Sequence, residues 1–186
     1  DDSQLVAEYD NGEVVVGEDD IEAAFPVYDN ARIVSLYLAP KARITKEAAE
    51  AIISADMVVL GPGDLYTSVL ANVVVPGVET ALRDTTAKLV YVTNLMTKQG
   101  QTNGMGVAEH IEELSQYIGR KLDAVLVNVS PLPADLSKTY AQWGEFPVEF
   151  NYEQDDIHIV PADLLASEEV VTKAGDTLKR SLIRHD

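Results

Sequence analysis

The chain has 186 residues, 46% of them hydrophobic, enough for one domain with a sizeable core. Its 31 acidic and 14 basic residues give a net charge of −17, which excludes nucleic acid and anionic membrane as partners, since both are held chiefly through Lys and Arg. It has no cysteine, which excludes disulfides, thiolate nucleophiles and Cys-ligated zinc and fits a reducing cytoplasm.

The chain opens on Asp1-Asp2-Ser3-Gln4, with no basic-then-apolar leader and no initiator methionine, so a trimmed chain is expected. No apolar run approaches the length of a bilayer span. Gln4–Gly17 reads as a β-hairpin near the N-terminus, with Asp10-Asn11-Gly12 as its turn, because Asn-Gly favours a tight primed turn. Asp19-Asp20 reads as a solvated turn. Arg32–Leu38 is a strand ended by Ala39-Pro40. Thr45 caps a helix over Lys46–Ser54, whose Ala48, Ala49, Ile52 and Ile53 fall at helical spacing.

Three helix-then-strand units follow. Lys46–Ser54 leads into Asp56–Leu60, a short helix near Val78–Arg83 leads into Lys88–Asn94, and a longer one from about Gly106 to Ile118 leads into Asp123–Val129. Strands so uniformly apolar, separated by helices, predict a mainly parallel sheet covered on both faces. The fold class is α/β, a Rossmann-like three-layer α/β/α sandwich in one domain over residues 1–186. Right-handed crossovers place the loops after Leu60, Asn94 and Val129 at one sheet edge, where ligands of open α/β sheets collect.

Two of those loops carry the chemistry. In the first, an apolar strand breaks at Gly61-Pro62-Gly63 and passes through Asp64 into Leu65, Tyr66, Thr67 and Ser68, a helix start. Glycines there let bound oxygens approach backbone N–H groups, so the segment suits a phosphate or carboxylate; a plain strand-closing turn fits it as well. The second, Thr93–Gly106, offers Asn94, Thr97, Gln101, Thr102 and Asn103 as neutral donors and acceptors for a base or sugar edge, or is an ordinary βα loop of turn formers. Tyr140, Trp143 and Phe146 either stack on a base or fill the core. His110, His158 and His185 stand without metal-ligand spacing, and Ser68 has no base partner for a hydrolytic triad, so neither a metal site nor a catalytic residue is assigned.

Together the two loops resemble one family, the YvcK-like proteins or gluconeogenesis factors, of the same superfamily as the CofD-type 2-phospho-L-lactate transferases. The family's GPGSLYTS segment, the following Asn-Leu-Leu-Val, its Asn-Leu-Met-Thr-Gln-x-Gly-Glu-Thr segment and its Asp/Glu-His are matched here by GPGDLYTS (61–68), Asn72-Val73-Val74-Val75, Asn94 to Thr102 and Glu109-His110. The Leu5-to-Ile21 opening and Arg184-His185-Asp186 are similar too. The resemblance implies a cytoplasmic, non-catalytic regulator of carbon metabolism and cell-wall morphogenesis that binds a nucleotide sugar such as a UDP-sugar. Its site would be Gly61, Pro62, Gly63, Asp64, Tyr66, Thr67, Ser68, Asn72, Asn94, Met96, Thr97, Gln101 and Thr102. The alternative it carries is an enzyme moving a phospholactyl group onto a deazaflavin. Mg²⁺ accompanying a phosphorylated ligand and a homo-oligomer both stay open.

Two departures and one gap stand out. Asp64 replaces Ser in the anion loop, where it repels phosphate, meets a cation, or caps the following helix through Tyr66 or Thr67. Gln101 replaces Glu. The family's opening glycine-rich turn has no counterpart before Leu5, so the N-terminal half of the site, and a last helix after Asp186, are expected to lie outside this chain.

Overall fold

The computed structural model describes residues 2–23, 31–154, 156–166 and 183–185; Asp155 and Asp186 fall outside them. The N-terminal hairpin forms, with β1 (Gln4–Tyr9) antiparallel to β2 (Val14–Val16), but its turn is not the tight primed one expected: Gly12 alone takes a positive φ, +87°, and Tyr9 N donates to the Glu13 carbonyl at 2.9 Å across Asp10-Asn11-Gly12. Its other edge pairs with β3 (Ile33–Ala39), giving a three-stranded antiparallel sheet in the order β2-β1-β3. Between β2 and β3 the chain coils into α1 (Glu18–Ala23). Asp19 and Asp20 thus sit in a helical first turn, not a bend, where their charge meets the positive end of the helix.

The helix α2 (Lys46–Ser54) begins where Thr45 places it, and Thr45 Oγ1 accepts from Ala48 N at 3.2 Å. From there the chain alternates. The strands β4 (Met57–Leu60), β5 (Lys88–Val92), β6 (Ala124–Asn128) and β7 (His158–Ala162) form one parallel sheet in that order. Between β4 and β5 run a π-helical segment (Leu65–Leu70), α3 (Ala71–Val73) and α4 (Val78–Asp84). Then α5 (Val107–Ile118) precedes β6 and α6 (Ala134–Gln142) precedes β7. Both α6 and β7 lack a strong apolar stripe, and sequence reading passes over them.

One core joins the two sheets. Leu5, Ala7, Tyr9 and Leu36 of the antiparallel sheet belong to the same buried cluster as Leu65, Leu70, Leu114 and Ile118 of the helices and Leu89, Tyr91 and Val125 of the parallel strands. At β4 the cover is one-sided: Met57 and Val59 are 56% and 54% exposed. A sheet whose strands follow in sequence order sends its right-handed crossovers to one face, and α2, α4 and α5 indeed pack on one another. Among the described residues no single helix is long and apolar enough to cross a membrane.

The register is pinned at the sheet's amino edge, far from the loops of interest. The Asp123 carboxylate accepts from Lys88 Nζ (2.7 Å), Leu89 N (2.9 Å) and Arg120 Nη2 (3.0 Å), which holds its pKa below the usual carboxylate range.

Candidate functional site

The parallel strands deliver the loops after β4, β5 and β6 to one edge, as their order requires. The first loop is tight. Gly61 has φ +83°, and a Cβ there would stand 3.0 Å from the Val92 carbonyl oxygen. Only glycine meets both conditions at that position. A Cβ on Gly63 would stand 3.0 Å from Ser68 Cβ, so the loop also lies close on the helix that follows. That helix opens wide, because the Asp64 carbonyl accepts from both Ser68 N and Val69 N at 3.0 Å.

The Asp64 side chain makes no capping hydrogen bond. The capping reading therefore fails: the carboxylate turns out of the helix and pairs with Lys98 Nζ at 3.7 Å, tying the first loop to the second.

The second loop spends much of its polarity on itself. Thr97 N donates to the Phe146 carbonyl at 2.7 Å, and Thr97 Oγ1 accepts from Phe146 N at 2.9 Å. Val148 N donates to the Leu95 carbonyl at 3.1 Å, so residues 146–148 zip along residues 95–97. Thr102 Oγ1 accepts from Lys98 N at 2.7 Å. Asn94 Oδ1 accepts from the buried Tyr91 hydroxyl at 3.2 Å. Gln101 is 4% exposed, and among the described residues neither of its amide atoms finds a partner.

Between the loops lies a cleft of about 440 Å³. Pro62, Gly63 and Asp64 form one wall, and Asn94, Leu95, Met96, Thr97 and Lys98 form the other. Tyr140, Glu145, Ile183, Arg184 and His185 close it. A larger groove of about 520 Å³ around Tyr152–Ile159 contains neither motif. Sequence reading set His185 aside, yet its Nε2 donates to the Thr93 carbonyl at 3.0 Å, and burial lowers its pKa. Ile183 N donates to the Tyr140 hydroxyl at 3.1 Å. Lys98 lies within the second motif, though sequence reading did not single it out as a site residue. Arg184 and His185 reach the cleft only through tertiary closure from the far end of the chain.

Other candidates lie elsewhere. Tyr66 is 3% exposed, and its hydroxyl meets Glu113 of α5; burial and that carboxylate raise its pKa. Thr67 is buried, and its hydroxyl donates to Glu22 Oε1 at 3.3 Å. Ser68 and Asn72 are exposed, and Asn72 Nδ2 donates to the Ser68 carbonyl at 2.7 Å. Gln101 and Thr102 are buried behind the second loop. The cleft is thus lined by Pro62, Gly63, Asp64, Asn94, Met96 and Thr97 of the thirteen expected residues, with Gly61 at its hinge.

The aromatic trio divides. Tyr140 is buried, while Trp143 and Phe146 are 38% and 54% exposed, and Trp143 packs edge-on against Tyr140 at 5.2 Å. His110 is fully buried, its Nδ1 2.8 Å from the Gly106 carbonyl, a packing role. Among the described residues no three His, Asp or Glu side chains are grouped to hold a metal ion.

With that geometry in place, comparisons identify the chain's relatives. A family model described as 2-phospho-L-lactate transferase CofD matches residues 1–165. A Thermotoga maritima protein named "Putative gluconeogenesis factor" is 37% identical over 186 residues, covering 100% of this chain and 56% of that protein. The "Gluconeogenesis factor" of Halalkalibacterium halodurans is 36% identical over 146 residues, 77% of this chain and 44% of that protein. A crystal structure of a Bacillus halodurans protein, described as a member of the UPF0052 family, superposes with a TM-score of 0.81 at 29% identity. It covers 99% of this chain and 55% of that one. The chain spans about half the length of the curated relatives it matches. It belongs to the CofD family, and the relatives it resembles within that family are the YvcK-like gluconeogenesis factors.

Proposed function

We propose that this chain contributes the binding cleft of a nucleotide-sugar-binding regulatory protein of the YvcK type, acting in gluconeogenic carbon metabolism and cell-wall morphogenesis. One observation carries the reading: the two motif loops form facing walls of one cleft that also contains Lys98 and Arg184. In a chain of net charge −17, two cations converging beside the Gly61-Pro62-Gly63 backbone support an anionic small molecule over a neutral one, although Asp64 and Glu145 line the same cleft. The diphosphate of a UDP-sugar lies along Pro62, Gly63 and Asp64 toward those cations. The neutral wall of Asn94, Met96 and Thr97 faces the sugar or base. Mg²⁺, where it takes part, arrives on the phosphates. A cytoplasmic setting is part of this reading, in keeping with the ligand class.

The test is titration calorimetry of the intact protein against a panel of nucleotide sugars. Saturable binding to at least one is expected, and no heat with any of them overturns the proposal. The name of the family model supplies the alternative, phospholactyl transfer to a deazaflavin. Formation of that product by the intact protein would replace the regulator with an enzyme.

A further inference from the structure

Asp64 and Lys98 come from the two opposite walls of the cleft and meet at its mouth, Oδ2 to Nζ 3.7 Å, with side chains 31% and 29% exposed. We propose that Lys98 is the cation that grips the ligand's anionic group and that Asp64 is its resident competitor. An anionic ligand then enters by displacing the Asp64 carboxylate from Lys98. This inference rests on the reading of the cleft as a site for a phosphorylated ligand, and it adds the residue that grips and the residue that opposes.

The geometry is that of a pair made to be exchanged. At 3.7 Å the two groups attract but lie beyond the 2.7–2.9 Å of a charge-assisted hydrogen bond. The Lys88–Asp123 pair at the opposite sheet edge, 2.7 Å apart with Leu89 N donating to the same carboxylate, has by contrast full hydrogen-bond geometry. Part-exposed pairs without hydrogen-bond geometry hold weakly, and a diphosphate offers Lys98 more charge and more oxygens than one carboxylate does.

The backbones behind the pair are fixed on both sides. The Asp64 carbonyl holds Ser68 N and Val69 N, and Lys98 N donates to Thr102 Oγ1 at 2.7 Å. Exchange therefore needs only side-chain rotation, not loop movement. The sequence points the same way. Asp64 belongs to the first motif loop and Lys98 to the second, so the two loops that form the cleft bring opposite charges into contact. A carboxylate alone in that loop would repel phosphate outright. Paired with Lys98, it instead sets a threshold that a ligand with a strong anionic group passes and a neutral sugar or nucleoside does not.

The test is titration calorimetry of the intact protein with two probes, inorganic pyrophosphate and UDP-glucose, in the presence of a chelator. The proteins are wild type, Asp64→Asn, Lys98→Gln and the double variant. Asp64→Asn is expected to tighten pyrophosphate binding by about two- to five-fold, the range open to a part-exposed ion pair. Lys98→Gln weakens it, and in the Lys98→Gln background the gain from Asp64→Asn shrinks by half or more. The proposal is overturned if Asp64→Asn leaves pyrophosphate affinity unchanged or lowers it, if Lys98→Gln has no effect, or if no protein binds pyrophosphate. If the pyrophosphate pattern holds but neither UDP-glucose nor any other nucleotide sugar of the panel gives heat, the competitor mechanism stands and the nucleotide-sugar reading falls.

Discussion

Gly61 is where sequence, backbone and cleft meet, and a matched pair of substitutions measures what it contributes. Gly12 and Gly61 both have positive φ, +87° and +83°. A Cβ at Gly12 meets nothing within 4 Å, whereas a Cβ at Gly61 meets the Val92 carbonyl oxygen at 3.0 Å and the Tyr91 ring at 3.7 Å. Gly12→Ala therefore costs only the left-handed backbone, roughly 1–2 kcal/mol, partly offset by the stiffer unfolded chain. Gly61→Ala carries that cost plus an overpacking cost of about 1–3 kcal/mol, because the obstructing atom is backbone at the end of β5 and no rotamer change relieves it. The expected total is about 2–4 kcal/mol, at least 1 kcal/mol beyond Gly12→Ala. Urea unfolding of both variants, followed by circular dichroism with m-values compared, reads the difference directly. If the two variants lose equal stability, the close approach to Val92 is not a constraint and the loop is free to relax.

Asp123→Ala removes an acceptor shared by Lys88, Leu89 N and Arg120 and is expected to cost about 2 kcal/mol in urea unfolding; an effect under 0.5 kcal/mol would deny it a register-setting role. Because its pKa is lowered in the fold, the stability Asp123 supplies is present above its unfolded value near 3.8 and is lost as pH falls through the folded value. For His110, burial lowers the pKa, so the unfolded chain binds the proton more readily and stability falls as pH drops below about 6.5. Stability–pH curves for wild type and His110→Gln should show the variant with the shallower acid slope, and parallel curves would refute the assignment. Thr97→Val leaves Phe146 N without its 2.9 Å acceptor, at a cost of about 1–3 kcal/mol, and loosens residues 146–148 from the cleft wall. Faster hydrogen exchange at Phe146 and Val148 is the expected signature, and unchanged protection there would count against it.

Local signals in the sequence were read well because each has a local cause. Thr45 caps α2 since its hydroxyl needs only a neighbour three residues on, and Asp10-Asn11-Gly12 reverses the chain between two strands adjacent in sequence. The parallel order of β4, β5 and β6 follows from apolar strands separated by helices. What stayed hidden depends on which face of a helix turns inward. Tyr66 and Thr67 sit inside the phosphate-like motif, yet the widened first turn after Asp64 directs them at Glu113 and Glu22 in the layer between the sheets. A motif gives the order of residues, not the phase of the helix that follows. Asn151 shows the same limit: Gly106 has no side chain to cap α5, and Asn151 Oδ1 supplies the acceptor for Ala108 N from 43 residues away.

The cleft itself is a long-range construction, and that explains how so acidic a chain offers an anion a place to bind. Net charge acts through a field that salt screens within about 8 Å, so a ligand inside the cleft responds to the groups lining it more than to carboxylates on distant faces. Among those groups, Lys98 is brought in by the loop after β5, and Arg184 and His185 by a segment bound to that loop's own strand. His185 donates to Thr93, 92 residues earlier, and Ile183 N donates to Tyr140 of α6. Burial lowers the His185 pKa although its bond to the Thr93 carbonyl works the other way, so at neutral pH the cleft's formal positive charge rests on Lys98 and Arg184 rather than on three groups. Asp64 and Glu145, which line the same cleft, formally offset the two. Affinity for an anion is accordingly set by a small local difference, two cations against carboxylates at one sheet edge, and a single substitution at position 64 or 98 changes its sign or size where altering surface charge elsewhere does not.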